Sequence, residues 1–419
     1  MYQKTELSNG VRVVTERIPH AQSVSVGFWV KTGSRDEKIE ENGIAHFIEH
    51  MLFKGTRSRT AIEIAKAIDS VGGVLNAYTS REYTNFYVKV LEKDIDLALD
   101  LLSDIFLNSL FSSQEIDRER DVILQEIRMV EDTPDEYLQD LFNQHYFSGH
   151  PLGNPILGSY QTIGQLGKTD LTAFFQTSYL LPGRIVVSIA GKLHHDQAVG
   201  AISRTLGSIK PQEEQRVLHV PDPVPDLHIY KKDLEQVHIC MGTKGLSQAD
   251  PSRYAGYLLN AILGGSMSSR LFQEIREKRG LVYAVYSYLS SYSDTGMFSI
   301  YAGTTPDKMS EVIELIMHEL NAFKLDLLEE DELSKAKDQL KGNVLLSYES
   351  TDNRMTRLAS GELYFGRYVP IEEVIKDIEK VTVEDVQHLA QKLFRKESFS
   401  LAVLGKVKKK DLSATMIRL

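Results

Sequence analysis

Two histidines stand four residues apart, with a glutamate immediately before the second, in Gly43-Ile44-Ala45-His46-Phe47-Ile48-Glu49-His50-Met51-Leu52-Phe53. On a helix, His46 and His50 lie one turn apart on the same face and can grip one metal ion. Glu49 projects beside them, where it can move a proton to or from whatever the metal binds. The rest of the stretch is apolar, so two histidines facing wholly into solvent is the poorer reading. A catalytic zinc usually has three protein ligands and an open position for water. A third ligand must therefore come from elsewhere.

It is expected from Glu119-Arg120-Asp121-Val122-Ile123-Leu124-Gln125-Glu126. Glu119 and Glu126 are two helical turns apart and share a face. An internal comparison supports the choice, because the chain repeats itself. Val237–Lys244 echoes the strand Val24–Lys31, Arg253–Leu263 echoes the histidine helix, and Ser398–Gly405 echoes Arg184–Gly191. Pairing Gly55 with Gly265 sets Gly256, Leu259 and Asn260 opposite His46, Glu49 and His50. At an offset of 217, Ala336 and Asn343 fall opposite Glu119 and Glu126. The second copy keeps the scaffold and loses all five groups together. We therefore expect Glu126 as the third metal ligand and Glu119 as the carboxylate that orients a ligand histidine. Glu49 is expected to be the base that takes a proton from metal-bound water as it attacks a peptide carbonyl. One zinc ion per chain is expected.

The elements that must position these groups follow from periodicity. Strands are expected at Val24–Lys31, near Val74–Ser80, at Thr84–Leu91 and at Arg184–Gly191. Helices are expected at Ala61–Val71, ended by Gly72-Gly73, and at Asp94–Phe106, Ser113–Val130 and Asp170–Tyr179. Asp132-Thr133-Pro134-Asp135 and Ser350-Thr351-Asp352 break the pattern at matching places in the two copies. Val220-Pro221-Asp222-Pro223-Val224-Pro225-Asp226 reads as a stiff linker. The expected fold is α+β: two homologous domains, each an antiparallel-rich sheet packed by helices. Their boundaries are expected at 1–219 for the metal-binding domain, 220–227 for the linker and 228–419 for the metal-free domain.

A net charge of −10 argues against nucleic acid as a partner and suits cationic ligands. The single cysteine, Cys240, lies in an apolar run and is expected to be a buried strand residue. With no disulfide possible within the chain, a reducing compartment fits. No apolar run approaches a membrane span, and Met1-Tyr2-Gln3-Lys4-Thr5-Glu6 has no signal-like core, so a cytoplasmic location is expected. His194-His195 and His145/His150 lack ligand spacing and are expected at the surface or in turns.

The order His-x-x-Glu-His is the inversion of the commoner zinc-protease signature. With Glu126 seventy-six residues beyond His50 and Glu119 one heptad before it, the chain resembles the pitrilysin and insulin-degrading-enzyme family of zinc peptidases. It is most similar to the branch of the mitochondrial processing peptidase and its bacterial relatives, over essentially the whole length. The resemblance implies a zinc-dependent endopeptidase and gives further residues a role. Leu75-Asn76-Ala77-Tyr78-Thr79 matches the strand that receives substrate by edge pairing, with Asn76 and Ala77 as peptide-binding positions. Gly264-Gly265, in Leu263-Gly264-Gly265-Ser266-Met267, matches a glycine-rich substrate-contacting segment. Arg276 and Tyr283 match a pair directed at the substrate carbonyl. Because family members of this short length correspond to half of the long single-chain peptidases, the resemblance implies a homodimer in which Arg276 and Tyr283 of one chain complete the zinc site of the other. Its substrates would be peptides or short unfolded segments, with basic, presequence-like ones favoured by the charge. The rival is a non-catalytic or partner-dependent peptide-binding subunit of the same fold, which the intact Glu49 and ligand set disfavour.

Overall fold

The strand Ser23–Val30 alternates Val24, Val26, Phe28 and Val30 on one side with Ser25, Gly27 and Trp29 on the other, and almost every residue in it is buried. Such a strand needs cover on both faces. In the computed structural model, which describes residues 1–211, 219–325, 328–395 and 398–407, it lies inside a six-stranded sheet. That sheet contains β1 (Tyr2–Glu6), β2 (Arg12–Arg17), β3 (Ser23–Val30), β4 (Val74–Thr79), β5 (Thr84–Leu91) and β6 (Ile185–Gly191) in the order β1-β2-β6-β3-β5-β4. The pair β2–β6 is parallel and the other pairs are antiparallel. Its strand β4 is an open edge.

The second sheet holds β7 (Leu227–Lys231), β8 (Val237–Lys244), β9 (Val282–Ser291), β10 (Gly296–Thr304) and β11 (Ser400–Gly405), in the order β7-β11-β8-β10-β9. This repeats the arrangement β2-β6-β3-β5-β4, including the single parallel pair, here β7–β11. The duplication is therefore one of topology as well as sequence, and the fold is the expected two-domain α+β architecture. Cys240 is fully buried on β8, as its apolar run suggested. No described helix is long and apolar enough to cross a membrane.

The chain divides into two compact units, Met1–Met129 with Asn154–Leu218 and Leu346–Val369, and Val130–Gly153 with His219–Leu345 and Pro370–Leu419. This differs from contiguous domains at 1–219 and 228–419 by the exchange of two helical segments. In the first unit, the helices α1 (Ile44–Leu52), α2 (Ala61–Asp69), α3 (Ile95–Asn108) and most of α4 (Ser113–Glu131) accompany one face of the sheet. The opposite face is covered from far down the chain: Met355, Leu358 and Ala359 of the helix Thr351–Ser360 pack on Val14, Trp29, Val186 and Ala190. The Ser25 hydroxyl donates to Asp352 at 2.6 Å there. In the second unit, α5 (Pro134–Tyr146) covers Cys240, Met297, Ala402 and Leu404 with Leu138, Phe142 and Tyr146. Each large apolar side chain so buried contributes roughly 1.5–3 kcal/mol. The two expected breaks are thus helix starts: Pro134 occupies the first turn of α5, where its missing N–H costs nothing.

Other boundaries shift modestly. The helix begun at Ala61 ends at Asp69, and that expected at Asp170–Tyr179 is Lys168–Phe174 running on into a π-turn at Phe175–Tyr179. One expectation is corrected outright. His195 is buried, held between the hydroxyls of Thr5 and Thr15 at 2.8 and 2.9 Å, while its neighbour His194 is exposed.

Candidate active site

Helix α1 buries Ile44, Phe47, Ile48, Met51 and Leu52 in the first unit's core, which turns His46, Glu49 and His50 to the opposite side. Gly43 opens it at φ 94°, and a Cβ there would meet the Gly158 Cα and Leu157 carbonyl at 2.8 Å. Only glycine fits both demands. With no side chain at that position, the first-turn amides are satisfied from outside the helix. The Glu37 carboxylate accepts from the Gly43 and Ala45 amides, each at 2.9 Å, and from the Asn42 side chain at 2.8 Å. Burial pushes the Glu37 carboxyl up to about 8, against these three donors.

His46, His50 and Glu126 converge although Glu126 lies on α4. The Glu126 Oε2 stands 3.7 Å from His46 Nε2 and 3.6 Å from His50 Nε2, and one ligand atom from each residue lies within 4.8 Å of the others. Ligand atoms around a tetrahedral zinc with bonds near 2.0–2.1 Å are separated by about 3.3 Å. The two separations from Glu126 thus need only contract by a few tenths of an ångström to fit. The protonation of His46 suits a metal as well. Burial, assisted by neighbouring His50, pushes His46 down to about 4, leaving the neutral imidazole that coordinates. Its Nδ1 is buried without a hydrogen-bond partner among the described residues, so packing holds the ring, edge-on to His50 at 4.7 Å. For His50, burial opposes the charge, but Glu126 and Glu119 outweigh it and raise the imidazole. Glu126 is correspondingly held low, chiefly by His50.

Glu119 is buried one heptad before Glu126. It accepts from His50 Nδ1 at 3.0 Å and from Lys54 Nζ at 2.7 Å. Glu49 stands beside the ligand cluster. Burial raises its carboxyl above the usual range, while the Thr79 hydroxyl, donating to Oε2 at 2.5 Å, works the other way. Such an environment suits a group that must accept a proton and later release it.

Asn76 and Ala77 lie on the edge strand β4, and Asn76 Oδ1 accepts from the Ala77 amide at 2.8 Å. Gly264, Gly265, Arg276 and Tyr283 belong to the second unit. The two glycines close the helix Arg253–Leu263, their amides bonded to the Asn260 carbonyl at 3.0 and 2.8 Å. A Cβ on Gly264 would strike Ser287 of β9 at 2.6 Å, so this glycine is a close-packing position, whereas Gly265 is exposed. Arg276 lies over the Phe272 and Tyr283 rings at 4.7 and 5.4 Å, and Tyr283 is 79% exposed.

The sequence reading passed over Glu37, Lys54 and, as a partner of Glu49, Thr79. Lys54 follows His50 by four residues, a spacing that places both on one side of the chain. Thr79 shares strand parity with Leu75 and Ala77. The contacts of Glu37 depend on loop geometry and carried no signal.

Residues 12–159 match the family model for insulinase, peptidase family M16, and residues 165–340 match the M16 inactive domain. An uncharacterized zinc protease of Bacillus subtilis, YmxG, is 41% identical over 97% of this chain and 98% of its own length. An uncharacterized zinc protease of Mycobacterium leprae, ML0855, is 40% identical over 99% of this chain and 94% of its own. Among solved structures, a protease from Helicobacter pylori has the same fold, with a TM-score of 0.90 at 23% identity, over 96% of this chain and 99% of that one. A peptidase M16 inactive domain from Pseudomonas fluorescens does too, with a TM-score of 0.91 at 20% identity, over 97% and 98%.

Proposed function

The chain belongs to the insulinase family of peptidases, family M16, and is a metalloprotease; on that premise we propose that it is a zinc-dependent endopeptidase acting on extended peptides. The observation that carries this reading is the approach of His46, His50 and Glu126 to one another beside an independently buried carboxylate, Glu49. These three residues would hold one zinc per chain. Zinc, when bound, polarises a carbonyl and brings the pKa of water to about 7. Glu49 takes the proton of the attacking water and returns it to the leaving amine. Glu119 orients His50 through Nδ1. The open edge of β4 pairs with the backbone of an extended peptide, with the Asn76 side chain and Ala77 main chain as partners, so that binding depends little on sequence.

The second unit lacks the ligand set and is assigned a substrate role. Arg276 and Tyr283 supply donors for the oxyanion, and the exposure of Tyr283 supports a ligand-facing role. We assign them to the site of a partner copy in a homodimeric chamber. Gly265, exposed two residues before the exposed Met267, is the part of the glycine turn that can meet a peptide. The charge of −10 favours basic, presequence-like segments, and the single buried cysteine suits the cytoplasm.

Metal analysis coupled to digestion of a peptide library tests the assignment. One zinc per chain, cleavage that a chelator abolishes, and recovery on adding zinc back are expected. Cleavage that persists after zinc is stripped would refute it.

A further inference from the structure

We propose that Thr79 is a positioning residue for Glu49, fixing from the edge strand which carboxylate oxygen receives the proton during hydrolysis. The inference rests on the reading of Glu49 as general base. Along β4, exposed Val74, Asn76 and Tyr78 alternate with half-buried Leu75, Ala77 and Thr79. Leu75 and Ala77 pack against the core to which α1 contributes, so strand parity directs the Thr79 side chain to the same side. There its hydroxyl donates to Glu49 Oε2 at 2.5 Å.

A carboxylate oxygen that already accepts a strong hydrogen bond is the weaker base of the two. Oε1 is then the oxygen that takes the proton as the water O–H bond breaks and the new C–O bond forms. The same proton passes from Oε1 to the amine nitrogen as the C–N bond breaks. Anchoring Oε2 also removes side-chain freedom that the reaction would otherwise have to restrict.

Strand geometry adds a second consequence. In an antiparallel pair, amides of alternate residues point away from the neighbouring strand. The Ser80 amide bonds the Tyr83 carbonyl across the turn at 2.8 Å and the Ala77 amide is met by its neighbour's side chain, which puts the amides of Ala77 and Thr79 on the open side of β4. The strand assigned to the peptide therefore ends in the residue that holds the base. One element sets both the register of the peptide and the orientation of the group that activates its attacker.

Ser287 of β9 donates to Asn260 at 2.8 Å, a comparable bond from edge strand to helix with no base present. A hydroxyl there can serve packing alone, so the test must separate the two roles.

The zinc-loaded full chain is compared with Thr79→Val, Thr79→Ala and Thr79→Ser on a quenched peptide, with zinc content and melting temperature measured in parallel. Removing the hydroxyl in the Val or Ala variant is expected to lower kcat about tenfold with KM changed less than about twofold. Thr79→Ser is expected to restore kcat to within about threefold, with zinc content native throughout. Native kcat in Thr79→Val, a rise in KM alone, or a Ser variant as slow as Val would overturn the proposal. Glu49→Gln, run alongside, keeps the two claims apart. If it stays active, the base assignment itself falls; if it is inactive while Thr79→Val matches the native chain, only the role of Thr79 falls.

Discussion

His50 is gripped through both ring nitrogens by carboxylates of a helix distant in sequence, Glu119 at Nδ1 and Glu126 near Nε2. The first of these contacts is itself anchored, because Lys54 Nζ meets the other oxygen of Glu119 at 2.7 Å. Glu119 is almost wholly buried, so losing its cation leaves a carboxylate poorly compensated. Lys54→Met keeps the apolar stem and removes the charge. It is expected to speed zinc loss to a competing chelator by about fivefold to tenfold, the low end of effects seen when groups behind a ligand are removed. An unchanged rate would show that Glu119 needs no cation to orient His50. The gathering of His46, His50 and Glu126 was legible from the sequence because helical spacing and the joint loss of five groups in the second copy both point to the same residues. Lys54 was not, because one lysine among many on charged surfaces carries no comparable contrast.

At the scale of the element, α1 is a nine-residue helix carrying two prospective ligands and the proposed base, too short to be stable alone. Its apolar side is fixed by the core and its first turn by Glu37. The folded chain holds the Glu37 proton more tightly than the unfolded chain does, since burial moves this carboxyl up to about 8. The stability from this group is therefore full below the ordinary carboxylate pKa and is lost as pH rises toward about 8. Glu37→Gln cannot titrate and is expected to melt lower than the native chain, with the gap narrowing between about pH 5 and about pH 8. A gap that widens would mean that the three donors prevail and the carboxylate ionises in place. The spacing of His46, Glu49 and His50 suggested α1, and strand-like patterning suggested β4. The Glu37 contacts were hidden because a carboxylate reaching back over a turn leaves no periodic trace.

For the whole molecule, the repeated strand order shows why the duplication was readable and why its boundaries were not. The copies keep the alternation of β3 and β8, but the second face of each sheet is covered by a helix from a different part of the chain. Nothing local in Thr351–Ser360 says that its Met355 belongs against Trp29. A fragment of residues 1–219 lacks that helix, leaving Trp29, Val14 and Val186 uncovered. It is expected to bind a hydrophobic dye and to melt broadly, whereas the full chain should do neither; a sharply melting, dye-free fragment would show that the exchanged helix is dispensable. The proposed sharing of a site between copies has its own test. Mixing inactive Glu49→Gln with inactive Arg276→Ala chains is expected to recover part of the activity, through sites that draw Glu49 from one chain and Arg276 from the other. The absence of any recovery would count against the shared site.

The most direct test of the account joins metal content and turnover in one variant. Glu49→Gln removes the base and leaves His46, His50 and Glu126 in place. The expected result is one zinc per chain, as in the native protein, with cleavage of a quenched peptide reduced by at least about a hundredfold. A Glu49→Gln chain that holds zinc and still cleaves at the native rate would contradict the mechanism assigned to this site.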